Sequence, residues 1–153
     1  MTTDRQDGFT LIELMVVLVI IGIASAAVSL SIKPDAHALL RKDSERLAHL
    51  LQIAQAEARS DGRPITWLAD EKGFSFRRRD TQGTGYDHFA NDPQLRPRHW
   101  ETPSMRVQTR PRQAVILNAE WINPALSIRL SDGQHSLDVQ RTALGQLSVV
   151  STP

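Results

Sequence analysis

Gly8-Phe9-Thr10-Leu11-Ile12-Glu13 opens an apolar run that continues to Ile32, and this stretch decides the fold. The run from Phe9 to Ile32 has 24 residues. As a helix it would be about 36 Å long at ~1.5 Å per residue, enough to cross a bilayer core of roughly 30 Å. A carboxylate near the centre of a bilayer costs roughly 2.5–3.5 kcal/mol. Glu13, close to one end of the run, therefore needs a partner.

The most plausible processing site stands before the apolar run, at Gly8. A secretory signal has its cleavage site after the apolar stretch, and cleavage there removes that stretch. Cleavage after Gly8 would instead leave the helix on the mature chain and create a new amine at Phe9, four residues from Glu13. The Glu13 carboxylate could then pair with the amine of its own chain or of a neighbouring subunit.

The stretch Gly8–Leu14 resembles the sequence that prepilin peptidase recognises in type IV pilins and type II secretion pseudopilins. The resemblance implies cleavage between Gly8 and Phe9, N-methylation of Phe9, and a role for Glu13 in subunit docking. The leader, residues 1–8, departs from the family pattern because it carries no net positive charge.

The chain after Pro34 begins with a second helical pattern. From Asp35 to about Ser60, apolar residues recur at spacings of three, four and seven, which predicts an amphipathic helix. Asp61-Gly62 is a helix stop, with Gly62 suited to a left-handed cap. We therefore expect one long helix, and Pro34 can kink or restart it.

The remainder reads as β-structure. Turn signals at residues 70–73 and at Asp132-Gly133 predict two hairpins, and the second continues through a turn at Gly145 into a three-strand meander. A further strand is expected at residues 114–117. The stretch Asp80–Arg112 is poorly periodic, although short strands around His99-Trp100 and Met105–Gln108 can lie within it.

The soluble part also resembles a known family. Residues 46–59, the following Gly62-Arg63-Pro64-Ile65 and the next hairpin are similar to the H-type minor pseudopilin of type II secretion. The resemblance implies a pilin-like α+β fold, in which a long N-terminal helix with a transmembrane and an amphipathic half packs on antiparallel β-sheet. It divides the chain into a cleaved leader (1–8), a transmembrane or filament-core helix (9–33) and a periplasmic globular domain (34–153).

The sequence gives little support for a catalytic site or a metal site. The chain has no cysteine, and its five histidines form no close metal-type pair. The oxygen-rich stretch from Tyr86 to Asp92 is better explained by turn-forming Asn and Asp residues. We therefore expect no cofactor, no metal and no enzymatic activity; the chain is itself the substrate of a peptidase.

A basic cluster allows a different partner. Arg77, Arg78 and Arg79 are consecutive, so their side chains alternate between the two faces of a strand. With Tyr86 and Trp100 nearby, a DNA-binding groove is one interpretation; a solvated loop, or a surface that meets acidic neighbouring subunits, is the other. A net charge of +1 does not favour nucleic acid. The candidate contacts are Arg77, Arg78, Arg79, Arg96, Arg98, Arg106, Arg110 and Arg112.

The sequence thus predicts an H-type minor pseudopilin of a type II secretion system. Its expected location is the bacterial inner membrane, as a single-pass protein with its globular domain in the periplasm, and the pseudopilus after assembly. The resemblance implies that it helps to push folded exoproteins through the outer membrane. It also implies contacts with the I-, J- and K-type tip subunits, the major pseudopilin, prepilin peptidase and the inner-membrane assembly platform. The alternatives are a type IV minor pilin for fibre initiation, motility or DNA uptake, and a membrane-anchored periplasmic enzyme.

Overall fold

The computed structural model describes residues 9–31, 35–120, 125–142 and 144–151. The chain divides into two compact units, Met1–Pro34 and Asp35–Pro153. Within the described residues the first unit contains helix α1 (Leu11–Ser31). The described residues of the second unit form helix α2 (Ala36–Asp61) and nine strands.

The expected long helix is present as two segments. Asp35 has an extended backbone, with φ −63° and ψ 118°, and its side chain accepts a hydrogen bond from the backbone N–H of His37. It is therefore the N-cap of a new helix, α2. The sequence explains the restart, since Pro34 has no N–H to donate and disfavours helical backbone in the residue before it. At the other end Gly62 takes the predicted left-handed cap, with φ 71°.

The first sheet, sheet A, holds the predicted early hairpin. Its strands are β1 (Ile65–Ala69), β2 (Gly73–Arg79), β3 (Tyr86–Asp87), β4 (Arg98–His99) and β6 (Val115–Leu117). The order is β3-β2-β1-β6, and β4 also pairs with β2. All of these pairings are antiparallel.

The second sheet, sheet B, holds the predicted C-terminal meander. Its strands are β5 (Arg106–Arg110), β7 (Leu126–Ser131), β8 (Ser136–Arg141) and β9 (Leu147–Ser151), in the order β5-β7-β8-β9. β7 and β8 are joined by the turn at Asp132-Gly133, and Gly133 has φ 96°. A positive φ of this kind is accessible to glycine without strain, which is why that turn signal is reliable.

The core of the second unit lies between α2 and the two sheets. α2 contacts strands of both sheets, and its apolar stripe is fully covered. The largest side chains without exposed surface come from the helix and from both sheets: Leu40, Leu47, Leu51, Ile65, Phe76, Met105, Leu117, Ile128, Leu130 and Val139. The predicted α+β class, with a helix packed on antiparallel β-structure, is therefore confirmed.

The middle strands of the chain are divided between the two sheets. β5 follows two strands of sheet A along the chain, yet it pairs with β7 in sheet B, and β6 then returns to sheet A beside β1. The periodicity of a short segment indicates that it is a strand but not which partner it takes. The stretch Asp80–Arg112 therefore consists of three strands joined by turns.

Candidate functional site

The start of α1 is built by a local cap. The side-chain oxygen of Thr10 accepts the backbone N–H of Glu13 at 3.3 Å, and the Thr10 carbonyl accepts the same N–H at 3.1 Å. Thr10 is thus the N-cap and Glu13 lies in the first turn of α1. The positive end of the helix dipole favours a carboxylate at this position. The predicted processing residue Gly8 lies outside the described residues, whereas Phe9 is the residue directly before the cap.

The side chains from Phe9 to Ala26, which include most of α1, form a largely apolar and exposed surface. Every side chain from Phe9 to Ala26 is exposed, and Phe9 and Leu11 retain 82% and 76% of their accessible surface. Such a continuous apolar surface is characteristic of a segment that is covered by lipid or by another protein. Among the described helices, however, none is long and apolar enough to qualify as a membrane span.

The arginines of β2 alternate between the faces of sheet A, as predicted. Arg78 points toward α2, where its Nη1 lies 2.6 Å from Asp61 and 3.3 Å from Glu57. It also lies 3.6 Å from Asp87 through Nε and stacks on the Phe89 ring at 4.9 Å. Arg78 therefore joins α2 to β2 and to the segment after β3, and its charge is neutralised within the chain.

Arg77 and Arg79 lie on the opposite face of sheet A. Both guanidinium groups stack on the ring of Tyr86, at 4.6 Å and 5.0 Å from the ring centroid. Tyr86 is directly opposite Arg79 in the β2–β3 pairing, and its side chain is 44% exposed. Arg79 also donates to the carbonyl of Gly83 at 3.3 Å. These three residues form an exposed cationic and aromatic surface.

Arg98 and Trp100, two residues of the predicted nucleic-acid groove, make structural contacts within the chain. Arg98 donates to the carbonyls of Pro93 and Gln94, and burial lowers its pKa from the ordinary value. The suggestion that Trp100 stacks on bases is wrong, because its ring is buried. Its Nε1 donates to the carbonyl of Asp70 at 2.8 Å, and the ring packs against Phe74 at 4.7 Å.

The remaining arginines of the cluster lie elsewhere. Arg106 and Arg110 are at the two ends of β5 in sheet B, and both side chains are exposed. Arg96 and Arg112 are exposed in the loops before β4 and after β5. The eight arginines therefore belong to two different sheets and their loops, and nucleic-acid binding by them stays a sequence-based hypothesis.

The oxygen-rich loop after β3 serves turns, as expected. The Asp87 side chain accepts the backbone N–H of Phe89 at 2.9 Å, and that of Asp92 accepts the N–H groups of Gln94 and Leu95. No group of three or more His, Asp or Glu residues in the described part of the chain is arranged to hold a metal ion.

One polar cluster was not anticipated from the sequence. Asp43 on α2 is completely buried and lies 2.6 Å from Arg46, while its carboxylate accepts the backbone N–H groups of Glu101 and Thr102. Glu101 in turn pairs with Lys42 at 2.8 Å and with Arg46 at 3.1 Å. The cluster attaches the segment between β4 and β5 to the helix. Its only sequence signal is a charged residue within the apolar stripe of α2.

Comparison with known proteins identifies the family. Residues 3–29 match the prokaryotic N-terminal methylation motif, and residues 43–145 match the family described as type II transport protein GspH. The chain belongs to the GspH family. The type II secretion system protein H of Aeromonas hydrophila is 30% identical over 95 residues, which make up 60% of this chain and 51% of that protein. The match thus spans about half the length of that relative.

A solved structure has the same fold. The minor pseudopilin EpsH from the type 2 secretion system of Vibrio cholerae matches this GspH-family chain with a TM-score of 0.58 and 10% sequence identity. The match covers 72% of this chain and 95% of that one. The predicted resemblance to H-type pseudopilins is therefore confirmed. The methylation motif and the family together imply a protein anchored in the inner membrane with its globular part in the periplasm.

Proposed function

We propose that this GspH-family chain is a minor pseudopilin of a type II secretion system that assembles near the tip of the pseudopilus. There it helps to push folded exoproteins through the outer membrane. The observation that carries the proposal is the methylation motif at residues 3–29, which includes most of α1, in a chain of this family. The described side chains of that helix are exposed and, apart from Glu13, mostly apolar.

The exposed surface of α1 supports assembly through this helix. Burial of apolar surface stabilises by roughly 25 cal/mol per Å², so α1 is strongly favoured in a setting that covers it. Lipid would cover it in the precursor, and neighbouring α1 helices would cover it in the filament. Little apolar surface is exposed to water in either state, so the exchange of lipid for helix contacts is close to balanced. A small favourable contribution from a polar interaction between subunits can then direct assembly.

Glu13 supplies that polar interaction. Cleavage between Gly8 and Phe9 and methylation of Phe9 leave a charged amine one residue before the Thr10 cap. In an array of parallel helices offset along a filament, the Glu13 carboxylate of one subunit can pair with the amine of the next. Such a pair sets the register between subunits.

The expected partners follow from the same role. They are the I-, J- and K-type tip subunits, the major pseudopilin, prepilin peptidase and the inner-membrane assembly platform. The family match and the Aeromonas hydrophila relative, both named for type II secretion or transport, favour secretion over a type IV pilus. Neither name describes an enzyme, which supports a structural role for this chain.

The test is a clean deletion complemented by the wild-type chain. Extracellular exoproteins are measured together with surface motility and DNA uptake. We expect exoproteins to accumulate in the periplasm while motility and uptake stay normal. Normal secretion combined with lost motility or uptake would assign the chain to a type IV pilus and overturn the proposal.

A further inference from the structure

The outer face of sheet A, opposite α2, carries a surface that the proposed function does not use. We call it the Tyr86 face: Arg77, Arg79, Tyr86, Thr66 and Ile116. Thr66 pairs with both Arg77 and Ile116 across the sheet, so these three side chains form one row on this face. Ile116 is 49% exposed and Tyr86 is 44% exposed. The face therefore combines two cations, an aromatic ring and an aliphatic side chain.

The two arginines of this face are held in place but not neutralised. Within the described part of the chain, no carboxylate oxygen lies within 4.0 Å of the Arg77 or Arg79 guanidinium. Asp80 is the adjacent acid, and its carboxylate accepts the backbone N–H and the hydroxyl of Thr84, at 3.0 Å and 3.3 Å. The Nε of Arg77 is buried and has no hydrogen-bond partner among these residues. Arg78, on the other face, is close to three carboxylates.

Both guanidinium groups lie over the same Tyr86 ring, and this attraction favours keeping them on this face of the sheet. A guanidinium over an aromatic face retains its N–H groups in its own plane, where they can meet an anion. Arg77 and Arg79 are two residues apart on β2, which corresponds to about 6.8 Å along a strand. Acidic side chains at alternate positions of an extended segment have the same spacing.

We propose that the Tyr86 face binds an acidic, extended segment of a partner protein, with Arg77 and Arg79 each pairing with a carboxylate. Tyrosine and arginine are enriched at the centres of protein–protein interfaces. The proposal does not depend on a role in secretion.

A polyanion such as DNA fits this surface less well. Phosphate-tracking sites use many cations along a continuous stripe. Here the middle arginine of β2 is paired with acids on the opposite face, and Arg98 is bound to backbone carbonyls. Two cations beside an aliphatic residue match a short acidic peptide better than a nucleic-acid backbone.

The binding test uses the full chain in detergent and a short peptide in which glutamate alternates with threonine, compared with the same peptide carrying glutamine. We expect the glutamate peptide to bind the wild-type chain about tenfold more tightly than the glutamine peptide, since two partly exposed charge pairs at ~0.7 kcal/mol each give that ratio. The double variant Arg77→Gln/Arg79→Gln should remove the difference. Arg106→Gln/Arg110→Gln removes the same charge from sheet B and should leave binding unchanged.

A second measurement needs no variant. In the isotope-labelled wild-type chain, the glutamate peptide should shift the NMR signals of the Nε–H groups of Arg77 and Arg79 more than those of Arg106 and Arg110. Equal shifts at all four, or binding that survives the Arg77/Arg79 double variant, would overturn the proposal. It would also fail if a single-stranded oligonucleotide bound through Arg77 and Arg79 while the peptide did not, because the surface would then be a phosphate site.

Discussion

The buried carboxylate of Asp43 accepts a 2.8 Å hydrogen bond from the backbone N–H of Thr102, a residue 59 positions further along the chain. The same carboxylate accepts the N–H of Glu101 at 3.0 Å and pairs with Arg46. A single side chain of α2 thus satisfies two backbone donors of the segment between β4 and β5. This contact holds the middle of the chain, which lacks a regular apolar pattern, against the helix.

Replacement of Asp43 should therefore destabilise the second unit. In Asp43→Asn the amide cannot accept as the carboxylate does, and Arg46 loses its buried partner. We expect the free energy of unfolding to fall by about 1.5–3 kcal/mol, the range for hydrogen bonds to charged groups. Urea unfolding of the full chain in detergent measures it. Glu45→Gln, which removes only the exposed pair with Arg41, should change stability by less than about 0.5 kcal/mol. Equal effects of the two substitutions would contradict the role of Asp43.

Gly73 should not tolerate a side chain. A Cβ atom at this position would lie 2.1 Å from the carbonyl oxygen of Arg98, a backbone atom of the paired strand β4. Gly73→Ala should push β4 away from β2 and reduce the free energy of unfolding by about 1–3 kcal/mol, as overpacking does. Hydrogen exchange of the Trp100 amide, which donates to the Lys72 carbonyl, should accelerate. The matched control is Ser75→Ala on the same strand. Unchanged exchange in Gly73→Ala would show that β4 does not pack at this distance.

Low pH should reduce the stability of the second unit through the carboxylates of two turns. Backbone hydrogen bonds from Gly73 and Lys72 lower the pKa of Asp70, and a backbone hydrogen bond from His135 lowers the pKa of Asp132. A lowered pKa in the folded state stabilises the fold at pH values above the unfolded pKa, about 3.9. That stabilisation is lost as the pH falls through the folded pKa. The urea midpoint should therefore change little between about pH 6 and 8 from these groups and decrease below about pH 4.

A double variant separates these two acids from the others. Asp70→Asn/Asp132→Asn retains an acceptor oxygen in each turn but cannot ionise, so the decrease of the urea midpoint below about pH 4 should become smaller. Glu71→Gln, in the same turn as Asp70, serves as the control and should leave the decrease as it is. The assignment fails if the pH profile of the double variant coincides with that of the wild-type chain.

Glu13 should matter for assembly and not for cleavage. Under the proposed pairing, Glu13→Ala removes the partner of the Phe9 amine, so we expect processing to remain largely intact while the chain no longer enters the pseudopilus. Co-purification with the other subunits and exoprotein secretion measure this outcome. Glu71→Ala removes an exposed acid of the second unit and should assemble normally. Normal assembly of Glu13→Ala would rule out the pairing between Glu13 and the amine.

Gly8 should determine processing. A bulky replacement such as Gly8→Val should block cleavage, and mass spectrometry should then find the leader still attached and Phe9 unmethylated. Gln6→Ala changes the same leader away from the cleavage site and should be processed normally. A Gly8→Val chain that still begins at a methylated Phe9 would contradict the recognition of this motif.

Local signals were sufficient for much of the fold. The Asp132-Gly133 turn and the Gly62 cap were predictable because each depends on the backbone freedom of a single glycine, and the structure has both at positive φ. The alternation of Arg77 and Arg78 was predictable from the pleat of a strand. None of these features requires knowledge of a distant residue.

Contacts between distant segments were not predictable in the same way. The sequence does not indicate that Trp100 is buried against Phe74, so its apparent place in a nucleic-acid groove was wrong. Nor does it indicate that Asp43 meets Thr102. Such contacts depend on how α2 and the strands pack against each other. From the sequence alone, many other residues of the same types are equally possible partners.

The sequence by itself determined the N-terminal methylation motif and the class of the fold, because a short motif, an apolar run and glycine turns each depend on a few adjacent residues. Tertiary structure alone decided the division of the strands into two sheets. It also decided which arginines of β2 pair with carboxylates and which do not. Arg78 is neutralised because α2 brings Glu57 and Asp61 to its face of sheet A. Arg77 and Arg79 stay available because their guanidinium groups lie over the ring of Tyr86, and no carboxylate of the described residues is within 4.0 Å of them.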